Sequence, residues 1–485
     1  MVCARLTALQ KGLQLPNIAV IVLAAGQGTR MKSATPKVLH TVGGRTMVEH
    51  ALRAGEGITP DYLVAVIGHG RDQVQQVLDG LDFSTPVSLV VQTEQKGTGH
   101  AVQVGLSAIP DDFHGTVVVT TGDTPLLDAA TLAGLVSSGA TVATFTTENP
   151  TGYGRIVTRT DATGAVTVTG IVEEKDATAE QKLITEVNSG VYAFDADFLR
   201  QAVTTLTTDN AQGELYLTDV VAQVEQATAF HIDDPFLVAG VNDRVQLAAL
   251  NKEFYRRQAE YWMREGVTIE DPATTFIEAG VTLGRDVTIH PNTQLKGATT
   301  IGEGAEIGPD TTLENMTVGA GAWVNRVFGK DSEIGEGADI GPFTYIRPGV
   351  VVGKDGKLGG FVEAKNAQIG EGSKVPHLSY IGDATVGDFS NIGASSVFAN
   401  YDGVNKHHTT IGSYVRTGSD TMFVAPVNVG DGVYSGAGTV IREDVPAGSL
   451  VVSGGKQRNI EGWVIENRPD TAAAKAAKAA LEQQK

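Results

Sequence analysis

The stretch Ile277-Glu-Ala-Gly-Val-Thr-Leu283-Gly-Arg-Asp-Val-Thr-Ile289-His-Pro-Asn-Thr-Gln-Leu295 carries an aliphatic residue at every sixth position. Ile301, Ile307 and Leu313 continue it without a miss. After an irregular stretch the register resumes at Ile334, Ile340, Ile346, Val352 and Leu358. This is the hexad period of a left-handed parallel β-helix. Each aliphatic residue points into a prism, and the small residues beside it allow a tight corner. The pattern runs, with interruptions, to about Val440. The main interruption, Asn400 to Thr410, is polar and lacks the repeat. It reads as a loop ejected from the coil.

Upstream the pattern changes. Ile18 to Leu23 is a continuous apolar run, as expected of a parallel strand buried on both faces. Tyr62 to Ile67 and Val117 to Val119 are similar, and helix-like segments alternate with them. The expectation is an α/β domain over 17–242, a Rossmann-like, doubly wound and mostly parallel sheet. Leu247, Leu250, Phe254 and Tyr261 then recur at helical spacing. They predict a linker helix over 243–266, leading into the β-helix domain over 267–465. Residues 1–16 form an N-terminal extension and 466–485 an Ala/Lys-rich tail. Its last part, Thr471 to Lys485, reads first as a disordered tail, with a frayed helix as the alternative.

Composition narrows the class. The chain has 485 residues, too many for one core, and its 58 glycines with only 6% aromatics suit a repetitive, turn-rich architecture. A net charge of −19 argues against a nucleic-acid or membrane surface, though local loops can still bind phosphate. Cys3 is the only cysteine, so neither an intrachain disulfide nor a Cys-based metal site is possible. It reads as an incidental terminal residue. There is no apolar run long enough for a membrane helix. Met1 to Pro16 has few positive charges and no long apolar segment, so it does not read as a signal peptide. The expected location is the cytoplasm.

Two groups of residues carry chemistry. The first strand runs into Leu23-Ala24-Ala25-Gly26-Gln27-Gly28-Thr29-Arg30-Met31. Glycines let backbone approach a phosphate, and the amides of a following helix favour anions. Arg30, and Lys37 in Thr35-Pro-Lys-Val-Leu-His40, add fixed positive charge. Asp123 ends a strand where ligands bind in open α/β sheets. Alone, the glycines read equally well as a turn, and Asp123 as a cap or turn residue. The second group lies in the β-helix, where Arg347, Lys365, His377, Tyr380 and Asn391 recur at broadly similar intervals. Coils of about three hexads can stack such residues along a face. Two cations suit a sugar phosphate, and a histidine can take a proton from an attacking amine. A lone histidine is more often structural or merely exposed. The adjacent His407 and His408 suggest metal, but their loop favours solvated side chains.

The string from Leu23 to Met31, followed by Pro36-Lys37, resembles the signature of the sugar-nucleotide pyrophosphorylases. That resemblance puts uracil recognition at Gln92 and Gly97-Thr98-Gly99-His100-Ala101. It puts the UTP and product site on Leu23, Ala24, Ala25, Gly26, Gly28, Lys37, Gln92, Gly97, Thr98, Gly154, Glu173, Asn188 and Asn242. Arg30 and Lys37 would be catalytic, and Asp123 and Asn242 would hold Mg²⁺, a hard cation suited to oxygen donors. Lys374 to Gly382, Asn391 to Ala394, Asn400 to Gly403 and Gly418 to Thr421 extend the likeness. With them the chain, from about Ile18 to Trp463, resembles the bacterial bifunctional N-acetylglucosamine-1-phosphate uridyltransferase and glucosamine-1-phosphate acetyltransferase family.

This resemblance implies acetyl transfer from acetyl-CoA to glucosamine-1-phosphate, then uridylyl transfer from UTP to N-acetylglucosamine-1-phosphate. His377 matches the general base. Arg347 and Lys365 match phosphate ligands, and Tyr380 and Asn391 match sugar ligands. Ala394, Asn400, Tyr401, Ser419 and Ala437 match the acetyl-CoA site; Asn400, Tyr401 and Lys406 lie in the loop that the family shares across subunits. The family is a homotrimer through its β-helices. Where family members can carry an arginine for the CoA phosphates, this chain reads Ser453-Gly-Gly-Lys-Gln-Arg458, which leaves Lys456 and Arg458 as alternatives. Two rivals stand beside this reading: a single-function pyrophosphorylase whose β-helix only assembles subunits, and a non-enzymatic scaffold.

Overall fold

The computed structural model describes residues 17–136, 140–160, 164, 166–455 and 457–483. The N-terminal extension with Cys3, and Lys456, lie outside these. The chain divides into two compact units, one ending at Thr300 and the other beginning at Ile301.

The first unit holds a nine-stranded sheet. Its strands are β1 (Ile18–Ala24), β2 (Tyr62–Ile67), β3 (Val87–Val91), β4 (Thr116–Thr121), β5 (Ala140–Thr146), β6 (Arg155–Thr160), β7 (Val166–Val172), β8 (Glu186–Asp195) and β9 (Ala227–His231). Their order is β3-β2-β1-β4-β8-β5-β9-β7-β6. The β3-β2-β1-β4 portion is parallel, and β8 runs antiparallel to its neighbours β4 and β5. Strand alternation explains the apolar run of β1: Ala19 and Ile21 enter one core, while Val20 and Val22 enter the core on the other face. The carboxyl ends of β1 and β4 therefore lie side by side, where an open sheet of this kind leaves a crevice.

The helix Arg244–Arg264 is capped by the Asp243 side chain, which accepts from the amides of Val245 and Gln246. It packs Phe254 against the turn at Gly43, and Asn251 accepts from the Gly43 amide (3.0 Å) and donates to the Thr41 carbonyl (3.1 Å). Two short parallel ladders follow in this unit: Thr268–Ile269 with Thr288–Ile289, and Phe276–Ile277 with Gln294–Leu295.

In the second unit the hexads become rungs. Ile307, Val324, Ile340, Leu358 and Val375 are in register along one face. Ile334, Val352, Ile369, Val386, Ile411 and Val429 are in register along another. All of these side chains are buried, and burying each contributes about 1.5–3 kcal/mol. The irregular stretch between Leu313 and Ile334 does not break the helix; Val324 keeps its column. The ladder ends at Leu450–Val451, which pairs with Tyr434–Ser435.

The tail takes the helical alternative rather than the disordered one. Ala472–Gln483 is a helix, and the Thr471 hydroxyl accepts from the Ala474 amide at its start (3.2 Å). Alanine has the highest helix propensity, and the cap satisfies an otherwise orphaned donor. Among the described residues no helix is long and apolar enough to cross a membrane.

Candidate active sites

The first site forms at the ends of β1 and β4. The chain leaves β1 at Ala24 and turns through Gly28, whose φ of +60° favours glycine; an added Cβ there would lie 2.4 Å from the Lys37 Cβ. That close approach lays Lys37 across the crevice. Its ammonium pairs with Asp123 and donates to the Asn242 Oδ1 (3.1 Å), while the Arg30 guanidinium donates to the same oxygen (2.8 Å). The four residues predicted for phosphate and metal thus form one cluster. Asp123 and Asn242 both offer oxygen to one small cation, the Lys37 ammonium, so the pair fits a hard divalent ion such as Mg²⁺. Among the described residues there is no metal-like group of three or more His, Cys, Asp or Glu.

A cavity of about 290 Å³ opens beside this cluster. Leu23, Ala24, Ala25, Gly26, Gly28, Lys37, Gln92, Gly97, Thr98 and Asp123 line it, with Gln95, Thr121 and Glu214, which the sequence reading missed. Gln92 is buried, and its amide nitrogen contacts the Gly97 carbonyl (3.2 Å) and the His100 Nδ1 (3.1 Å), leaving the amide oriented by protein. Gly97 begins the helix Thr98–Leu106 at φ +108°, and a Cβ there would strike the Leu215 carbonyl at 2.5 Å.

Gly154, Glu173 and Asn188 come together on the sheet's other arm. A Cβ on Gly154 would lie 3.5 Å from both Glu173 Oε1 and the Asn188 Cβ. Asn188 donates to the Tyr192 hydroxyl (2.7 Å). Burial pushes the Glu173 carboxyl above its ordinary range against a hydrogen bond from Thr218, with Asp176 and Asp219 adding to the rise. Such a half-buried carboxyl suits the binding of neutral hydroxyl or amide donors.

The second site lies on the rungs from Arg347 to Asn400. Glu363 and Tyr380 are paired in register, as are Lys365 and Gly382. Arg347 forms an ion pair with Glu363 at 3.0 Å. Lys365 is held below the usual ammonium range, first by the facing Lys406 and then by desolvation; Asp383 acts against this and Arg347 with it. The expected stacking of all five residues on one face does not occur. Lys365 and Tyr380 belong to one ladder, which the Arg347 amide joins at the Ala364 carbonyl (2.9 Å), whereas His377 pairs with Gly360 on the next. Asn391 bridges Lys374 on that same side. The corner at Leu378 and Ser379 separates the two groups: Lys365 and His377 are two hexads apart rather than one full turn, so they fall on different faces. His377 is exposed, and no described residue hydrogen-bonds its ring.

Beyond the corner Ala394, Ser419 and Ala437 lie on successive rungs. The Asp420 amide donates to the Ala394 carbonyl and the Gly438 amide to the Ser419 carbonyl, both at 2.8 Å. A Cβ on Gly418 would lie 2.5 Å from the Ala437 nitrogen, so this column is lined by small groups. In the loop, Asn400 is buried and donates to Asp383, while the Tyr401 hydroxyl donates to the Gly403 carbonyl (2.6 Å). The two loop histidines are not merely solvated: His407 meets Asp402 (2.7 Å) and His408 meets Thr385 (3.0 Å). Glu363 and Asp383 escaped the sequence reading; an acidic residue beside a glycine-rich corner gives no signal of its own.

Residues 20–173 match the model of the MobA-like NTP transferase domain, and residues 280–315 that of the bacterial transferase hexapeptide (six repeats). The chain is 62% identical over 476 residues to the bifunctional protein GlmU of Corynebacterium aurimucosum, covering 96% of this chain and 97% of the relative. It is 61% identical to that of Rhodococcus opacus, covering 95% of each. It is 60% identical to that of Corynebacterium glutamicum, covering 95% of this chain and 97% of the relative. With a nucleotidyltransferase-type sheet, a hexapeptide β-helix and identity of this extent from end to end, the chain belongs to the bifunctional GlmU family.

Proposed function

We propose that the two sites perform successive steps of UDP-N-acetylglucosamine synthesis, each on its own fold. The chain is a bifunctional transferase. Its β-helix acetylates glucosamine-1-phosphate, and its α/β domain transfers UMP from UTP to N-acetylglucosamine-1-phosphate. The single observation that carries this reading is the convergence of Arg30, Lys37, Asp123 and Asn242 at one crevice, in a chain that also carries the Arg347–Lys365–Tyr380 ladder.

In acetyl transfer, Arg347 and Lys365 bind the sugar phosphate, and Tyr380 and Asn391 hold the ring. His377 accepts a proton as the amine attacks the thioester carbonyl, and the CoA thiolate leaves to be protonated. Acetyl-CoA lies along Ala394, Ser419 and Ala437, whose small groups admit an extended chain, and beside Asn400 and Tyr401. The stretch after the last ladder, which ends at Val451, offers Lys456 and Arg458 as alternatives for the CoA phosphates. In uridylyl transfer, the sugar-phosphate oxygen attacks the α-phosphorus in line and pyrophosphate leaves. Arg30 and Lys37 orient and neutralise the phosphates. Leu23, Ala24, Ala25, Gly26, Gly28, Gln92, Gly97 and Thr98 bind the nucleotide, and Gly154, Glu173 and Asn188 the sugar. Asp123 and Asn242 would hold Mg²⁺, which would supply further charge neutralisation.

We place the chain in the cytoplasm, as a homotrimer. The apolar ridge of Phe343, Phe361 and Leu378 supports the oligomer. These residues are more than half exposed, and the two rings stack at 5.1 Å. Such a ridge suits burial against another subunit. The test is free-thiol release from acetyl-CoA by purified protein. Release that depends on glucosamine-1-phosphate is expected. Its absence, with UTP-dependent pyrophosphate formation intact, would reduce the chain to a pyrophosphorylase with an assembling β-helix.

A further inference from the structure

Asp383 occupies a corner of the β-helix with a φ of +50°. Its Oδ1 accepts from the Asn366 amide at 2.8 Å. The same arrangement joins Asn315 to Asp331 at 2.9 Å, three rungs earlier. Half of the Asp383 carboxylate therefore repeats a structural ladder. The other half does something the earlier corner does not. Oδ2 accepts from the buried Asn400, and the carboxylate faces the ammonium groups of Lys365 and Lys406.

Two lysines side by side repel each other, and the repulsion grows as water is excluded. A sugar phosphate needs both of them charged. We propose that Asp383 is a positioning residue of the acetyl-transfer site: its Oδ2 fixes Asn400 at the loop base and offsets the charge of the Lys365–Lys406 pair, so that two cations stand together where the phosphate binds. This rests on the assignment of Lys365 as a phosphate ligand. The charged groups that act on Lys365 are Lys406 and Arg347, which favour loss of its proton, and Asp383, which opposes it. Burial pushes Asp383 itself upward, but the hydrogen bonds from Asn366 and Asn400 and the two lysines outweigh it, so it is ionised at neutral pH.

The test uses the full-length enzyme, with acetyl transfer measured from pH 7 to 10. Asp383→Asn is expected to raise KM for glucosamine-1-phosphate about tenfold, the scale of one lost charge-assisted contact, and to move the alkaline limb of kcat/KM to lower pH. Lys406→Met should move that limb to higher pH, because it removes the repelling charge. Asp331→Asn, which alters only the structural ladder, should leave the limb in place. An Asp383→Asn enzyme with an unmoved limb, or one slowed equally at every pH, would reduce Asp383 to a corner residue. If Asp383→Asn does not fold, as judged by uridylyl transfer and thermal melting, the Lys406→Met shift decides: an unmoved or downward limb overturns the proposal. If Lys365→Met leaves KM for glucosamine-1-phosphate unchanged, the phosphate-ligand assignment fails instead.

Discussion

Asp123 and His377 sit in different kinds of surroundings, and their substitutions should separate the two activities. Asp123 is paired with Lys37, so Asp123→Asn should abolish uridylyl transfer and spare acetyl transfer. His377 carries an exposed ring, so His377→Ala should lower acetyl transfer about 10²–10⁴-fold and spare uridylyl transfer. Parallel assays of both variants check this; loss of both activities in either would refute independent sites. Glu173 gives a pH test. Its folded carboxyl is raised by burial, so the folded state favours the protonated form. Its contribution to stability is present below the ordinary carboxyl value and is lost as pH rises through the raised one. Glu173→Gln should therefore melt higher than the parent at pH 8, by about 2–4 °C for each kcal/mol, with the gap closing towards pH 4. It should also lower uridylyl transfer about tenfold or more. Lys37 was legible because a motif string carries it, and Asp123 because it ends a strand at the sheet's carboxyl edge. Asp383 was not, since an aspartate at a tight corner reads as turn chemistry, and Asp331 shows that it can be no more than that.

The hexad period made the β-helix readable rung by rung, because only an inward-facing residue repeats at that spacing. What it could not reveal was where corners lose residues. Val324 keeps its column although the strict sixfold count fails around it. The tail helix was only the second reading for the opposite reason: an Ala/Lys run has no apolar period to read, only propensity. Within a rung, glycine requirements differ sharply between neighbours. A Cβ at Gly359 would lie 2.0 Å from the Pro376 carbonyl oxygen, whereas at Gly360 the nearest atom is 3.6 Å away. Gly359→Ala should cost about 1–3 kcal/mol and Gly360→Ala no more than about 0.5 kcal/mol. The measurement is the denaturant midpoint for loss of β-sheet circular dichroism.

At the scale of the molecule, a homotrimer would have three times the 50.8 kDa mass of the chain, as light scattering would show. Phe361→Asp should dissociate it and abolish acetyl transfer while uridylyl transfer persists. Phe361 has a φ of +57°, a conformation that aspartate adopts more readily than phenylalanine, so any loss would not come from added backbone strain. A mass of one chain before substitution would remove the basis for the loop being shared.

The rungs also bond chiefly to the rung before and the rung after, which makes the β-helix a zipper with an open end. Its last teeth are Tyr434–Ser435 and Leu450–Val451. Arg347, Lys365 and Tyr380 lie several turns inside, whereas Ala437 lies almost at the edge. Gentle warming should unfasten the margin first. On the proposed assignments, the enzyme would lose its hold on the acyl donor while still gripping the sugar, a fault that a substrate-protection experiment would register as two separate temperatures.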